Sequence, residues 1–190
     1  MKEMRTLHIK NMVCPRCIMA VRQCLESLDM PPQSVELGTA VLSEPLDEDK
    51  RRQVAEALQA LGFELIDDRR SQLIEQIKTT VIDLVHYHDK RLKSNLSDYL
   101  SAKLNREYSA LSKLFSETTG TTIEKYFIAQ KIERAKELLV YDELTLNEIA
   151  DLLGYSSTAY LSTQFKQVTG LTPSHFKQLK ENKRKSLDQV

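Results

Sequence analysis

LNEIADLLGYSSTAYLSTQFKQVTGLTPSHF, residues 146–176, lines up without a gap on LSDYLSAKLNREYSALSKLFSETTGTTIEKY, residues 96–126, when the chain is slid by 50 positions. Leu96/Leu146, Leu111/Leu161, Ser112/Ser162, Phe115/Phe165, Thr119/Thr169, Gly120/Gly170 and Thr122/Thr172 are identical, and Asp98/Glu148 and Tyr126/Phe176 are similar. Self-similarity at a fixed offset implies two copies of one structural unit. Each copy reads as a short helix, a tight turn and a second helix ending at Gly. In the second copy Ile149, Ala150 and Leu153 are expected to face inward, and Gly154 permits a sharp turn. Tyr160, Leu161, Phe165 and Val168 would anchor the following helix. This is the grammar of a helix-turn-helix, with small Ala150 where the helices cross closely.

The remaining surface of that second helix offers Ser156, Ser157, Thr158, Thr163, Gln164 and Lys166. Short hydrogen-bonding groups with little charge suit the reading of base edges in a major groove. One such hairpin would be equally well read as a structural hairpin with a solvated face; two in tandem favour DNA. Between the copies, TTIEKYFIAQKIERAKELL (121–139) carries Ile123, Tyr126, Phe127, Ala135, Leu138 and Leu139 on one side. About 18 helical residues span roughly 27 Å. A rod of that length can hold two reading helices in successive major-groove segments, which lie roughly 34 Å apart. One chain could then bind without a partner copy.

The first third of the chain is written differently. MRTLHIK alternates like a strand, whereas Cys17, Val21, Cys24, Leu25 and Leu28 fall on one face of a helix, stopped by Met30-Pro31-Pro32. Val35 and Leu37, Gly38-Thr39 and Val41 predict two short strands and a turn, and the acidic cluster Asp47-Glu48-Asp49 suits the start of a second helix. Val54, Ala57, Leu58 and Leu61 give that helix an apolar face before Gly62, and FELID (63–67) supplies a last strand. The order β-α-β-β-α-β predicts a ferredoxin-like sandwich. The fold class is therefore α+β: a ferredoxin-like domain over 1–68, a linker helix over 69–94, and an all-α tandem helix-turn-helix domain over 95–183. Charge divides similarly: positions 1–68 carry 8 Lys/Arg against 12 Asp/Glu, and positions 69–190 carry 19 against 15. No apolar run is long enough for a membrane span, and charges at Lys2, Glu3, Arg5, Lys10, Arg16 and Arg22 do not suit a signal peptide. A cytoplasmic protein is expected.

EIADLLGYSSTAYLSTQFKQVTGLTPSHFK, with its Ile-Ala, Gly-Tyr-Ser, Phe-Lys, Thr-Gly and Thr-Pro, resembles the DNA-binding domain of the AraC/XylS family of bacterial transcription regulators over about residues 95–180. The resemblance implies a sequence-specific DNA-binding regulator, not an enzyme, with double-stranded DNA and RNA polymerase as partners. It places the base-facing residues at Ser109, Ser112 and Lys113 in the first unit and at Thr158, Ala159 and Thr163 in the second. Thr163 stands where many members have arginine, and Asn105 replaces the usual turn glycine of the first unit. The N-terminal part resembles a heavy-metal-associated domain, through Met12-Val13-Cys14-Pro15-Arg16-Cys17 and Gly62-Phe63, with Asn11 replacing a customary glycine.

Cys14 and Cys17 sit in a loop that precedes a helix N-terminus, where unpaired N–H groups and Arg16 are expected to favour thiolates. Two close soft donors suit Cu(I) or another soft ion, whereas a closed zinc site needs four ligands. The alternative is thiol–disulfide sensing. The element order differs from a thioredoxin fold, and no later proline loop faces the cysteines. A third reading is a degenerate loop whose thiols only pack, and for the whole protein a further one is a metal carrier, which would need only the first 67 residues. Cys24 is expected in the core, with His8 turned away from the thiols. In SQLIEQIKTTVIDLVHYHDKRL (71–92), Ile74, Ile77, Val81 and Leu84 could form a homodimer seam within 71–93 or pack on their own chain. His86 and His88, two apart, would not share a helix face.

Overall fold

A computed structural model of the chain describes residues 5–87 and 95–179. Two compact units divide between Thr79 and Thr80. Among the described residues, no helix is long and apolar enough to cross a membrane.

The first unit runs β1 (Thr6–Lys10), α1 (Pro15–Ser27), β2 (Pro32–Glu36), β3 (Thr39–Leu42), α2 (Glu48–Ala60), β4 (Glu64–Ile66), and then enters α3 (Arg69–His86). Its four strands form one antiparallel sheet in the order β2-β3-β1-β4. Strand β1 is central, pairing Leu7 with Ala40 of β3 and Ile9 with Leu65 of β4. Alternation sends Leu7 and Ile9 to one face, where they join Val35, Ala40 and Leu42 of the sheet, Val21 and Leu25 of α1, and Val54 and Leu58 of α2 in one core. Burying each such side chain stabilises the fold by about 1.5–3 kcal/mol. Asp47 caps α2 by accepting a hydrogen bond from the Lys50 N–H at 2.8 Å. Two side chains depart from the periodic reading. Leu61 lies beyond the end of α2 and is exposed, and on β3 the inward residues are Ala40 and Leu42 rather than Val41.

Helix α3, which falls within the linker helix expected over 69–94, is continuous across Thr79 and Thr80. It ends at His86, and the expected extension over 88–94 lies outside the described residues. Ile74, Ile77, Val81 and Leu84 are all buried within the chain. That is the packing on their own chain which the sequence allowed beside a homodimer seam.

The second unit continues with α4 (Leu96–Leu104), α5 (Tyr108–Thr119), α6 (Ile123–Tyr141), α7 (Leu146–Leu152), α8 (Thr158–Thr169) and α9 (Pro173–Gln178). The repeated threonines and glycines are its punctuation. Gly120 and Gly170 close α5 and α8 in the left-handed region, at φ 72° and 77°. Thr119 and Thr169 each donate a hydroxyl hydrogen bond to the carbonyl four residues back, at 2.8 and 2.7 Å. Thr122 and Thr172 cap the next helix in each copy by accepting from Lys125 N–H and His175 N–H. Helix α6 is more than a spacer. Its Ile132, Ala135, Leu138 and Leu139 form a core with Ile149, Ala150, Leu153, Leu161, Phe165 and Phe176.

Candidate nucleic-acid interface and thiol loop

Helices α5 and α8 occupy equivalent places in the repeat. Each buries a leucine and a phenylalanine, Leu111 and Phe115 or Leu161 and Phe165, and presents its opposite face to solvent. On α5, Ser109 and Lys113 are exposed and Ser112 is half-buried, three residues brought to one side by their i, i+3, i+4 spacing. The Lys113 side chain is 79% exposed, and its Nζ lies 4.0 Å from a Glu117 carboxylate oxygen. An exposed pair at that distance holds the lysine only weakly, which leaves it able to reach a base or phosphate.

On α8, Ala159 and Thr163 are exposed and Thr158 is half-buried. The Thr163 hydroxyl donates to the Ala159 carbonyl at 2.9 Å, so it faces outward mainly as an acceptor. Tyr160 and Val168, expected to anchor this helix, are instead 51% and 48% exposed. The Tyr160 ring packs edge-on against buried Tyr155 at 5.8 Å, and its hydroxyl accepts a hydrogen bond from Gln164 Nε2 at 3.2 Å. Periodicity assigned Tyr160 to the core because it adjoins Leu161. The repeat carried the missing signal: its counterpart Ala110 is also exposed.

The turns differ between the copies. Gly154 adopts φ 68° after α7, but in the first unit the left-handed residue is Asn105, at φ 50°, one place later in the repeat register. Asparagine is among the few non-glycine residues that enter this region readily. The glycine replacement therefore keeps the turn, with α4 extended past the point at which α7 ends. Helix α7 opens with a capping box in which Thr145 and Glu148 satisfy each other's backbone N–H groups. Those bonds hold the Glu148 carboxyl below its ordinary range. Lys131 of α6 lies 3.8 Å from the Tyr155 ring centroid, a cation–π contact that joins α6 to the second turn.

In the first unit, Cys14 is the N-cap of α1 and Pro15 begins the helix. The two thiols are free and half-buried, with Sγ atoms 3.3 Å apart. Burial pushes the Cys17 thiol pKa up, against a lowering by the Val13 backbone hydrogen bond. Desolvation is the largest influence on this thiol and runs against the thiolate expected at a helix N-terminus. Cys24 is core, as its place on the apolar face implies, and burial raises its pKa as well. His8 Nδ1 is buried without a hydrogen-bond partner among the described residues. Desolvation lowers the His8 pKa. Among the described residues, no group of three or more His, Cys, Asp and Glu could hold a metal ion. A thiolate–metal bond is about 2.3 Å, so an ion bridging sulfurs 3.3 Å apart would be held at a bent angle by this pair alone.

The fold and exposed helix faces of the second unit define it as a tandem helix-turn-helix module. Residues 100–179 match the family model described as a helix-turn-helix domain. Over 114 residues, 60% of this chain, it is 30% identical to the xylose operon regulatory protein of Escherichia coli strain K12, covering 29% of that protein. Over 113 residues, also 60% of the chain, it is 32% identical to an uncharacterized HTH-type transcriptional regulator of Staphylococcus aureus strain MSSA476, covering 14% of it. The chain thus spans less than a third of the length of these relatives. Among solved structures it is similar to the C-terminal domain of AraT, a response regulator from Geobacillus stearothermophilus. That match has TM-score 0.50 and 24% identity, and covers 63% of this chain and 92% of that one. The second unit thus carries a helix-turn-helix domain over residues 100–179.

Proposed function

We propose that the chain is a sequence-specific, double-stranded-DNA-binding transcription regulator of the AraC type that works in the cytoplasm and acts on promoters with RNA polymerase. The observation that carries this reading is the duplication: two helices, α5 and α8, with matching buried leucine and phenylalanine and matching solvent-facing sides, α6 sharing a core with α8 and meeting Phe115 of α5 through its Tyr126. The helix-turn-helix family match over 100–179 supports it. Ser109, Ser112 and Lys113 would read one major-groove segment, and Thr158, Ala159 and Thr163 the next. Tyr160 and Gln164 stand beside the second set and are positioned for phosphate or sugar contact. The test is selection of bound fragments from genomic DNA, followed by footprinting at low salt. Two protected major-groove segments about one helical turn apart are expected; a protein that protects no fragment would overturn the reading.

For the first unit, the strand order β2-β3-β1-β4 with α1 and α2 on one face supports a ferredoxin-like fold of the heavy-metal-associated kind. In this reading the Cys14–Cys17 loop is a sensory input. Its two soft donors fit Cu(I) better than an ion needing four ligands. A second reading rests on the 3.3 Å separation of the sulfurs. The dithiol would reduce an exogenous disulfide, each thiol losing one proton and one electron as the Cys14–Cys17 disulfide forms. Operator binding by wild type and by Cys14→Ser/Cys17→Ser, with and without Cu(I) and then with oxidised glutathione, separates the two. A Cu(I) response lost in the variant supports metal sensing, and a response to the disulfide alone supports redox sensing. Equal affinity in every state would leave the first unit without a sensory role.

A further inference from the structure

The loop that carries the thiols is tied to α3 at one point. Where β1 leaves the sheet, after Lys10 pairs with Glu64, the chain turns at Asn11 with φ 71°. The Asn11 backbone N–H donates to Glu75 Oε1 of α3 at 3.2 Å, and Asn11 Nδ2 donates to the Gly62 carbonyl at 3.1 Å. The next residue, Met12, is fully buried in the core, and Cys14 begins α1 two residues later. Glu75 is only 8% exposed. A carboxylate there is costly to desolvate, whereas its neighbours Ile74 and Ile77 pack the helix without such a cost. Its contact with the loop is a hydrogen bond whose acceptor is supplied by α3.

We propose that Glu75 is a positioning residue that couples the Cys14–Cys17 loop to α3, its buried carboxylate holding the Asn11 N–H in one loop conformation and changing that hold when the thiols take up a ligand. The proposal rests on the reading of the loop as a sensory input. It predicts that the acceptor oxygen at position 75, and not its charge, carries the coupling. Glu75→Gln keeps an acceptor; Glu75→Met keeps the length and apolar stem but removes it.

The test uses the full chain and Cu(I) as the probe. Operator affinity is measured with and without Cu(I) for wild type, Glu75→Gln and Glu75→Met, alongside Cu(I) stoichiometry and the rate at which Cys14 is alkylated in the metal-free protein. Couplings of this kind are about 5 to 150-fold. Wild type and Glu75→Gln should respond within that range, and Glu75→Met should respond less than about 2-fold while still binding Cu(I) and DNA. Cys14 should be alkylated several-fold faster in Glu75→Met, with Glu75→Gln restored to the wild-type rate. A Glu75→Met protein that responds like wild type, or whose Cys14 is alkylated at the wild-type rate, overturns the proposal. A wild type that does not respond to Cu(I) also overturns it, but there the failure lies in the sensory reading and is visible before any variant is made. If Glu75→Met does not fold, a Glu75→Gln that loses the response shows that charge, not the acceptor, matters and equally overturns it.

Discussion

Phe115 and Phe165, fifty residues apart, are both fully buried at the same place in the two helix-turn-helix units, and each meets one aromatic ring from the helix that follows. Phe115 packs on Tyr126 at 5.6 Å and 53°, and Phe165 on Phe176 at 5.5 Å and 71°. The repeat is thus a repeat of packing. It fixes the back of α5 and of α8 with a tilted aromatic pair, the geometry that ring quadrupoles favour.

Truncation of either phenylalanine should be costly. Phe115→Ala and Phe165→Ala should each lower stability by about 3–5 kcal/mol, from lost burial and the cavity left behind. Urea denaturation monitored by circular dichroism measures it; a loss below about 1 kcal/mol in either protein would show that the site is not packed as described.

The two DNA-facing helices should contribute unequally. Lys113→Ala should weaken operator binding by about 1–3 kcal/mol, whereas Thr163→Ala should cost less than about 1 kcal/mol because the hydroxyl is already bonded to the Ala159 carbonyl. Titrations at several salt concentrations also distinguish the role of Lys113. A loss confined to cognate DNA marks a base contact, and a uniform loss with a shallower salt slope marks a phosphate contact.

At the first turn, Asn105 holds φ 50° and ψ 48° as the C-cap of α4. Asn105→Gly should leave stability unchanged or slightly raised, and Asn105→Ala should lower it by about 1 kcal/mol, since a side chain without a local polar group pays the full left-handed strain. Thermal melts of the two variants should move in these different directions; a destabilised glycine variant would mean that the asparagine side chain itself is required.

Glu75 should give stability an unusual pH dependence. Burial pushes its carboxyl above the ordinary glutamate range, against the Asn11 N–H and the charges of Lys78 and Lys10, with Glu64 adding to the rise. The folded protein then holds this proton at pH values where the unfolded chain has lost it. The penalty for ionising Glu75 is absent below the unfolded value of about 4.3 and grows as pH rises from there to the raised folded pKa. Glu75→Gln should therefore gain stability relative to wild type as pH rises through that window, and the difference should be flat on either side. Asp68, Glu124 and Glu148, whose carboxyls are held below their ordinary range, lose their stabilisation at lower pH and equally in both proteins. Denaturation curves from pH 3 to 8 test the sign; a difference that shrinks as pH rises would contradict it.

Most of the elements are legible in the sequence because the forces that make them are local. The period of two in Leu7 and Ile9, the helical spacing of Val21, Cys24 and Leu25, and the repeated Thr-Gly-x-Thr at 119–122 and 169–172 each depend on residues a few positions apart. The 50-residue offset went further, since two copies of one pattern imply two copies of one packing solution. What tertiary structure alone decided involves partners distant in the chain. Pairing of Leu7 with Ala40 and of Ile9 with Leu65 sets the strand order, and no local pattern contains it. The apolar stripe on α3 read equally as a dimer seam or an intramolecular face, and the burial of Ile77 and Val81 within the chain is a fact of the folded structure alone. Tyr160 looked like core and is surface, because a residue beside a buried leucine is placed by the helix it packs on and not by its own hydrophobicity. The thiol loop shows the same division. Cys14 and Cys17 are recognisable from their spacing, but the raised Cys17 pKa comes mainly from desolvation, and the link from Asn11 to Glu75 spans 64 residues. Burial and long-range hydrogen bonds are properties of the assembled chain, and they exist only once the chain has folded.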